Sequence, residues 1–135
     1  MLINLAPRVV HRERRIFLPW NCSEAVRAWA DYYLHYRERD RRRGLRMGLS
    51  FAQFREMSLL PCVYCGDPPS GSPIARNTLD RIDSSGGYTA GNVVPCCTVC
   101  NLAKKDMSLD TFHAWLDRVV SFHTAGHVGG QSVES

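Results

Sequence analysis

Four of the six cysteines fall in two pairs of equal spacing, Cys62-Val63-Tyr64-Cys65 and Cys97-Thr98-Val99-Cys100. Two residues between cysteines let both sulfurs face one ion, and Gly66 after the first pair permits a tight turn. Four thiolates make a closed tetrahedral site of the structural Zn²⁺ type. A cation and a helix N-terminus both favour the thiolate form. Such an ion replaces core that a chain of 135 residues lacks. The competing readings are a redox C-x-x-C and plain buried cysteines. Cys96 competes with Cys97, but the two-residue spacing to Cys100 favours Cys97. Cys22, near a helix start, reads as a small core residue. With no secretory signal in view, metal is a better reading than disulfides.

Between and after the pairs lie Leu79-Asp80-Arg81-Ile82-Asp83, Gly86-Gly87-Tyr88, Asn92-Val93-Val94-Pro95, and Asn101 with Lys104. Together with the C-x-Y-C-G knuckle, this combination resembles HNH endonucleases, in particular small phage and bacterial HNH proteins with four zinc-binding cysteines. The likeness spans roughly residues 30–120, including the Arg-rich stretch and Leu49-Ser50-Phe51 upstream. Each piece alone is a weak signal, and the combination is specific.

The resemblance implies an α+β, mostly helical fold: a zinc-stapled ββα-metal core with flanking N- and C-terminal helices. It implies that Asp80 and Asn101 hold a catalytic divalent ion, Mg²⁺ or Mn²⁺, for which hard oxygen ligands are suited. Such an ion stabilises charge on the scissile phosphate and the leaving oxygen. Asn92 matches the middle Asn of the motif, which fixes the loop through its backbone. Arg81 stands where the family carries its His general base. A guanidinium cannot take a proton near pH 7, so Arg81 is expected to clamp phosphate. Tyr64, Tyr88 and His113 are the candidate substitutes for the base. Asp83 reads as a turn or salt-bridge residue, not a second metal ligand.

Net charge is +4, carried as +6 over residues 1–60 and −2 over residues 61–135. The basic half fits a polyanion grip and the Cys-rich half a cation site; solubility alone is the bland alternative. Six arginines lie between positions 37 and 46. Arg37, Arg39, Arg41, Arg42, Arg43 and Arg46, with Lys104 and Lys105 on a later helix, are the expected phosphate contacts, which position without reading sequence. The alternative is a solvated helix end with pairs such as Glu38–Arg42. Trp29, Tyr33 and Tyr36 read as core, not base-stacking groups, and His113 and His123 as ordinary surface residues.

The elements that must place these groups follow from pattern. A helix is expected over 23–43, capped by Asn21 with Glu24 as partner, burying Val26, Trp29, Tyr33 and Tyr36, and ending at Gly44. Residues 45–49 alternate weakly as a short strand. Ser50-x-x-Gln53 opens a helix to about residue 58 with Phe51 and Phe54 inward. Residues 67–77 form a loop, 78–83 a strand, 84–91 a glycine-rich turn and 92–95 a second strand. A helix over about 97–105 follows. Ser108 then caps a last helix, with Leu109, Phe112, Trp115, Leu116, Val119 and Val120 facing the core. The organisation is a basic arm over 1–20, a helical basic region over 21–58, the zinc module over 59–123 and a disordered tail over 124–135.

The function expected is a metal-dependent endonuclease hydrolysing DNA phosphodiesters. The main alternative is a non-cleaving zinc module that binds nucleic acid within a larger nucleoprotein assembly, and a weaker one is a protein–protein zinc adaptor. No membrane segment is apparent, and an intracellular, cytoplasmic setting is expected, in keeping with a phage-encoded protein.

Overall fold

A computed structural model describes residues 23–126. The order is α1 (Glu24–Arg42), α2 (Phe51–Ser58), β1 (Thr78–Arg81), β2 (Val93–Cys96), α3 (Thr98–Lys104) and α4 (Leu109–Thr124). The fold is mixed α+β, about half helical, with one two-stranded sheet. The expected arm over 1–20 and nearly all of the expected tail lie outside the described residues.

The cap of α1 is Ser23, whose Oγ accepts from Val26 N–H at 3.3 Å. Asn21, expected there, lies outside the described residues, and the helix starts too late for it to cap. The helix closes as the sequence implies. Gly44, at φ +74°, lets its N–H reach Arg41 O at 3.0 Å and Leu45 N–H reach Asp40 O at 2.9 Å, which satisfies two otherwise orphaned carbonyls. One face buries Trp29, Ala30, Leu34, Tyr36 and Asp40. Val26, in the first turn, is exposed instead of buried.

No strand forms over 45–49, and no partner strand lies beside it among the described residues. The backbone groups of that stretch go elsewhere: Gly48 N–H to Tyr88 O at 2.9 Å, and Leu49 O to the Tyr33 hydroxyl at 2.7 Å. α2 opens with the expected reciprocal cap between Ser50 and Gln53. Phe54 is fully buried, whereas Phe51 is exposed, resting edge-on against Tyr33 at 5.5 Å.

α1, α2 and the hairpin share a core of Trp29, Tyr36, Leu49, Phe54, Ile74, Leu79, Tyr88 and Val93. Its rings pack edge to face, as between Tyr36 and Phe54 at 5.0 Å and Tyr36 and Tyr88 at 4.7 Å, the arrangement that ring quadrupoles favour. β1 and β2 pair antiparallel with Thr78 opposite Cys96 and Arg81 opposite Val93. β1 ends two residues short of the expected Asp83, although Ile82 N–H still reaches Asn92 O at 2.8 Å. α4 is capped by Ser108 and inserts Phe112 into the fold. Val120, expected inward, is 59% exposed near the distal end. Among the described residues no helix is long and apolar enough to cross a membrane.

Candidate metal centre and nucleic-acid face

The first cysteine pair sits on a knuckle that the backbone shapes. Gly66, at φ +80°, donates to Cys62 O at 2.9 Å, and Val63 N–H docks on Pro95 O at 3.0 Å. This second contact sets the knuckle against the end of β2. The second pair opens α3: Cys97 is its N-cap, and its Sγ accepts from Cys100 N–H at 3.4 Å. One thiol of each pair thus comes from a turn or a helix start, where N–H groups converge.

The sulfurs of Cys62, Cys65, Cys97 and Cys100 all lie within 4.8 Å of one another, and Cys65 Sγ is 3.7 Å from Cys97 Sγ. A tetrahedron with metal–sulfur bonds of about 2.3 Å has edges of about 3.8 Å. The cluster therefore fits a four-coordinate metal ion such as zinc. Burial works against ionising Cys62, but backbone hydrogen bonds from Cys97, Cys65 and Tyr64 bring its thiol down to about 6. Burial and the sulfurs of Cys97 and Cys65 push the Cys100 thiol up. Four sulfurs so close can all ionise only with a cation between them. Cys96 is fully buried, its Sγ donates to Cys97 O at 3.3 Å, and it is not among the four sulfurs that converge. That answers which of the adjacent cysteines belongs to the cluster. Cys22 lies outside the described residues.

The staple fixes the knuckle to the start of α3, and α3 packs along β1. Thr78 and Asp80, two apart on β1, share a face; Asn101 and Lys104, three apart on α3, share another. Asn101 Nδ2 donates to Thr78 Oγ1 at 2.8 Å. Lys104 Nζ lies 3.3 Å from Asp80 Oδ1, 3.1 Å from Asp80 Oδ2 and 3.3 Å from Arg81 O. The Tyr64 hydroxyl donates to Asp80 Oδ2 at 2.8 Å. Asp80 and Lys104 are 5% and 1% exposed.

These contacts bear on the divalent ion expected at Asp80 and Asn101. The oxygens are of the right kind, hard donors from a carboxylate, a carbonyl and an amide. An ammonium already stands among them. As arranged, the pocket does not also fit a hydrated divalent ion, which keeps several waters. Lys104 was expected at the phosphate-facing surface; it is buried, because the Asp80 carboxylate needs a counter-charge inside the fold. Lys105, beside it, is exposed.

Arg81 is half-buried and donates from Nη1 to Ser84 O at 2.7 Å and Gly86 O at 2.9 Å. Asn92 pins the same loop: its Oδ1 accepts from Asp83 N–H at 2.9 Å, and its Nδ2 reaches Asp83 O at 3.0 Å and Gly87 O at 2.9 Å. Asp83 accepts from Ser85 N–H and Oγ at 2.9 and 2.7 Å, a turn geometry. Of the three candidate bases, Tyr64 is a donor to Asp80, and burial and that bond push its phenol up. Burial also raises Tyr88. His113 is exposed on α4 with its ring 5.9 Å from that of Tyr64.

The arginine run divides. Arg41 and Arg42 turn to Glu38 at 2.7 and 3.0 Å, the pairing that the interleaved acids suggested. Arg37 lies over Tyr33 and Arg39 over Tyr36 and Tyr88, at 5.7–5.9 Å from the ring centroids. Arg43 and Arg46 are exposed. Two buried groups escaped the sequence reading. Lys104 shared a helix face with Asn101, a spacing that marked it as inward. Asp40, fully buried beneath the loop, carried no signal within its run of charges.

No protein-family model matches the chain. An uncharacterized protein of Acanthamoeba polyphaga mimivirus is 35% identical over 78 residues, 58% of this chain and 14% of that protein. The chain thus spans a small fraction of the viral relative's length. Among solved structures, the rare-cutting HNH restriction endonuclease PacI is similar with a TM-score of 0.53 at 19% identity, over 73% of this chain and 81% of that one. The chain has the fold of an HNH endonuclease, built around a four-cysteine cluster able to hold a metal ion.

Proposed function

We propose that the chain is an HNH-type endonuclease that hydrolyses DNA phosphodiesters, with Zn²⁺ held by Cys62, Cys65, Cys97 and Cys100. The observation that carries the reading is the cysteine cluster at the start of α3, beside a ββα unit in which Asn101 of α3 bonds Thr78 of β1 and Lys104 of α3 pairs with Asp80 of β1. The likeness of fold to PacI supports it. Arg37, Arg39, Arg43, Arg46 and Lys105 supply positive charge for the DNA backbone, and Asn92 shapes the loop between the strands. A catalytic Mg²⁺ or Mn²⁺ belongs to the proposal by analogy alone. Lys104 holds the carboxylate such an ion would use.

The Asp80–Lys104 pair and the tying of Arg81 to loop carbonyls favour a second reading, a nucleic-acid-binding module that does not cut. Supercoiled plasmid incubated with purified protein and Mg²⁺ or Mn²⁺ separates the two. Nicked or linear product that vanishes in Asp80→Ala supports the nuclease. Salt-dependent binding with intact plasmid in both metals rejects it in favour of the second reading.

A further inference from the structure

Two guanidiniums from separate stretches of chain lie over one tyrosine, and a third stands near them. Arg39 comes from the last turn of α1, Arg43 follows that helix, and Arg81 ends β1. Arg39 Cζ lies 5.9 Å and Arg81 Cζ 5.4 Å from the centroid of the Tyr88 ring. Arg43 is close enough that its charge bears on both Arg81 and Tyr88. Among the described residues, none of the three has a carboxylate within ion-pair distance. Beneath them lies one buried acid, Asp40, whose Oδ2 accepts from Tyr88 N–H at 2.8 Å. One carboxylate against three guanidiniums leaves an excess of positive charge, and like charges held together repel.

The floor of this cluster is rigid. Tyr88 is buried against Tyr36, and the loop before it is pinned by Asn92. Arg81 uses only Nη1 on the loop, and its Nε and Nη2 make no hydrogen bond among the described residues. That edge is the fork which grips two oxygens of one phosphate. Arg41 and Arg42, by contrast, already share Glu38.

We infer that Arg39, Arg43 and Arg81 form a single seat for one phosphodiester group of a DNA backbone, with the Tyr88 ring as its floor. The inference rests on the nucleic-acid reading above and narrows it. The run of arginines is not a uniform basic surface: Arg39 and Arg43 converge on one phosphate, while Arg41 and Arg42 between them share Glu38.

Fluorescence anisotropy with a short labelled duplex, over a salt series and without added divalent ion, tests this. Arg39→Gln and Arg43→Gln are each expected to weaken binding about tenfold. Neither single variant lowers the salt slope by a full unit, because two guanidiniums still hold the phosphate. The double variant lowers the slope by no more than about one, because both arginines serve the same phosphate. Arg41→Gln or Arg42→Gln changes affinity by less than about twofold, as for a paired exposed charge. A double variant whose slope falls by about two, or losses at Arg41 and Arg42 equal to those at Arg39 and Arg43, overturns the single seat while leaving DNA binding intact. A wild-type protein that does not bind the duplex overturns the seat and the nucleic-acid reading together.

Discussion

Lys104 Nζ lies 3.1 Å from Asp80 Oδ2, with both side chains closed off from solvent. The ammonium reaches Asp80 from α3 across to β1, so the pair joins β1 to the helix whose start the cysteine cluster holds. Tyr64 adds a hydroxyl to the same carboxylate and packs edge-on against Phe112 of α4 at 4.9 Å. A single buried acid thus links strand, knuckle and both C-terminal helices.

Removing one partner of such a pair strands the other charge in the interior. Lys104→Met is therefore expected to cost about 3–5 kcal/mol of unfolding free energy in a urea titration. Replacing both partners, Asp80→Asn with Lys104→Met, restores most of that loss, since no charge is left unpaired. A single substitution costing under about 1 kcal/mol, the range of an exposed pair, would show that the ammonium is solvated and the carboxylate open to other cations.

The geometry at Asp80 marks the limit of what the sequence could say. The two C-x-x-C pairs, Ser50-x-x-Gln53, Ser108 and Gly44 are local signals, in which spacing alone fixes the geometry, and the structure has each where its spacing places it. The failures lie where a residue's neighbour is distant in sequence. Whether 45–49 forms a strand depends on a partner strand, which is lacking among the described residues, and whether Val26, Phe51 or Val120 is buried depends on what packs over it. Lys104 is the instructive case. Its residue type suggests a surface phosphate contact, while its spacing from Asn101 places it on the inward face of α3. Only the carboxylate 24 positions earlier decides between these.

The cysteine cluster makes a sharper claim about composition. One zinc per chain is expected by elemental analysis, and Cys62→Ser or Cys97→Ser should abolish it. Cys96→Ser should keep the metal, because the Cys96 sulfur donates to Cys97 O and lies outside the cluster. Chelation should unfold the 59–123 region cooperatively, followed by circular dichroism, since binding energies of about 10–16 kcal/mol are typical of structural zinc sites. Retention of native ellipticity after complete zinc removal would count against a structural role.

Gly87 carries a packing constraint that ties the loop to α1. A Cβ there would stand 2.9 Å from Asp40 Oδ2, a buried atom that cannot swing aside. Gly87→Ala is expected to destabilise by about 1–3 kcal/mol, the usual cost of overpacking. Gly91→Ala, where the added carbon meets nothing within 4 Å, serves as the control. Equal thermal midpoints for the two variants would refute a tight Asp40–loop contact, and with it the rigid floor beneath the arginines.

Glu38 governs how much of the arginine run faces solvent as free charge. Hydrogen bonds from Arg41 and then Arg42 lower its carboxyl to about 2. A folded-state value below the unfolded one means that the pairing stabilises above the ordinary carboxylate range. The contribution is lost as pH falls from about 4.5 towards 2, so at neutral pH both guanidiniums stay committed. The ion pairs lie at the surface, where screening by water keeps their contribution to stability small; the effect is on binding. Glu38→Gln releases Arg41 and Arg42 without altering the helix. Tighter binding to a DNA duplex is expected, with a salt slope steeper by about one for each phosphate newly engaged. Affinity and slope identical to wild type would place these two arginines away from the DNA altogether, leaving the basic surface to Arg39, Arg43 and their neighbours.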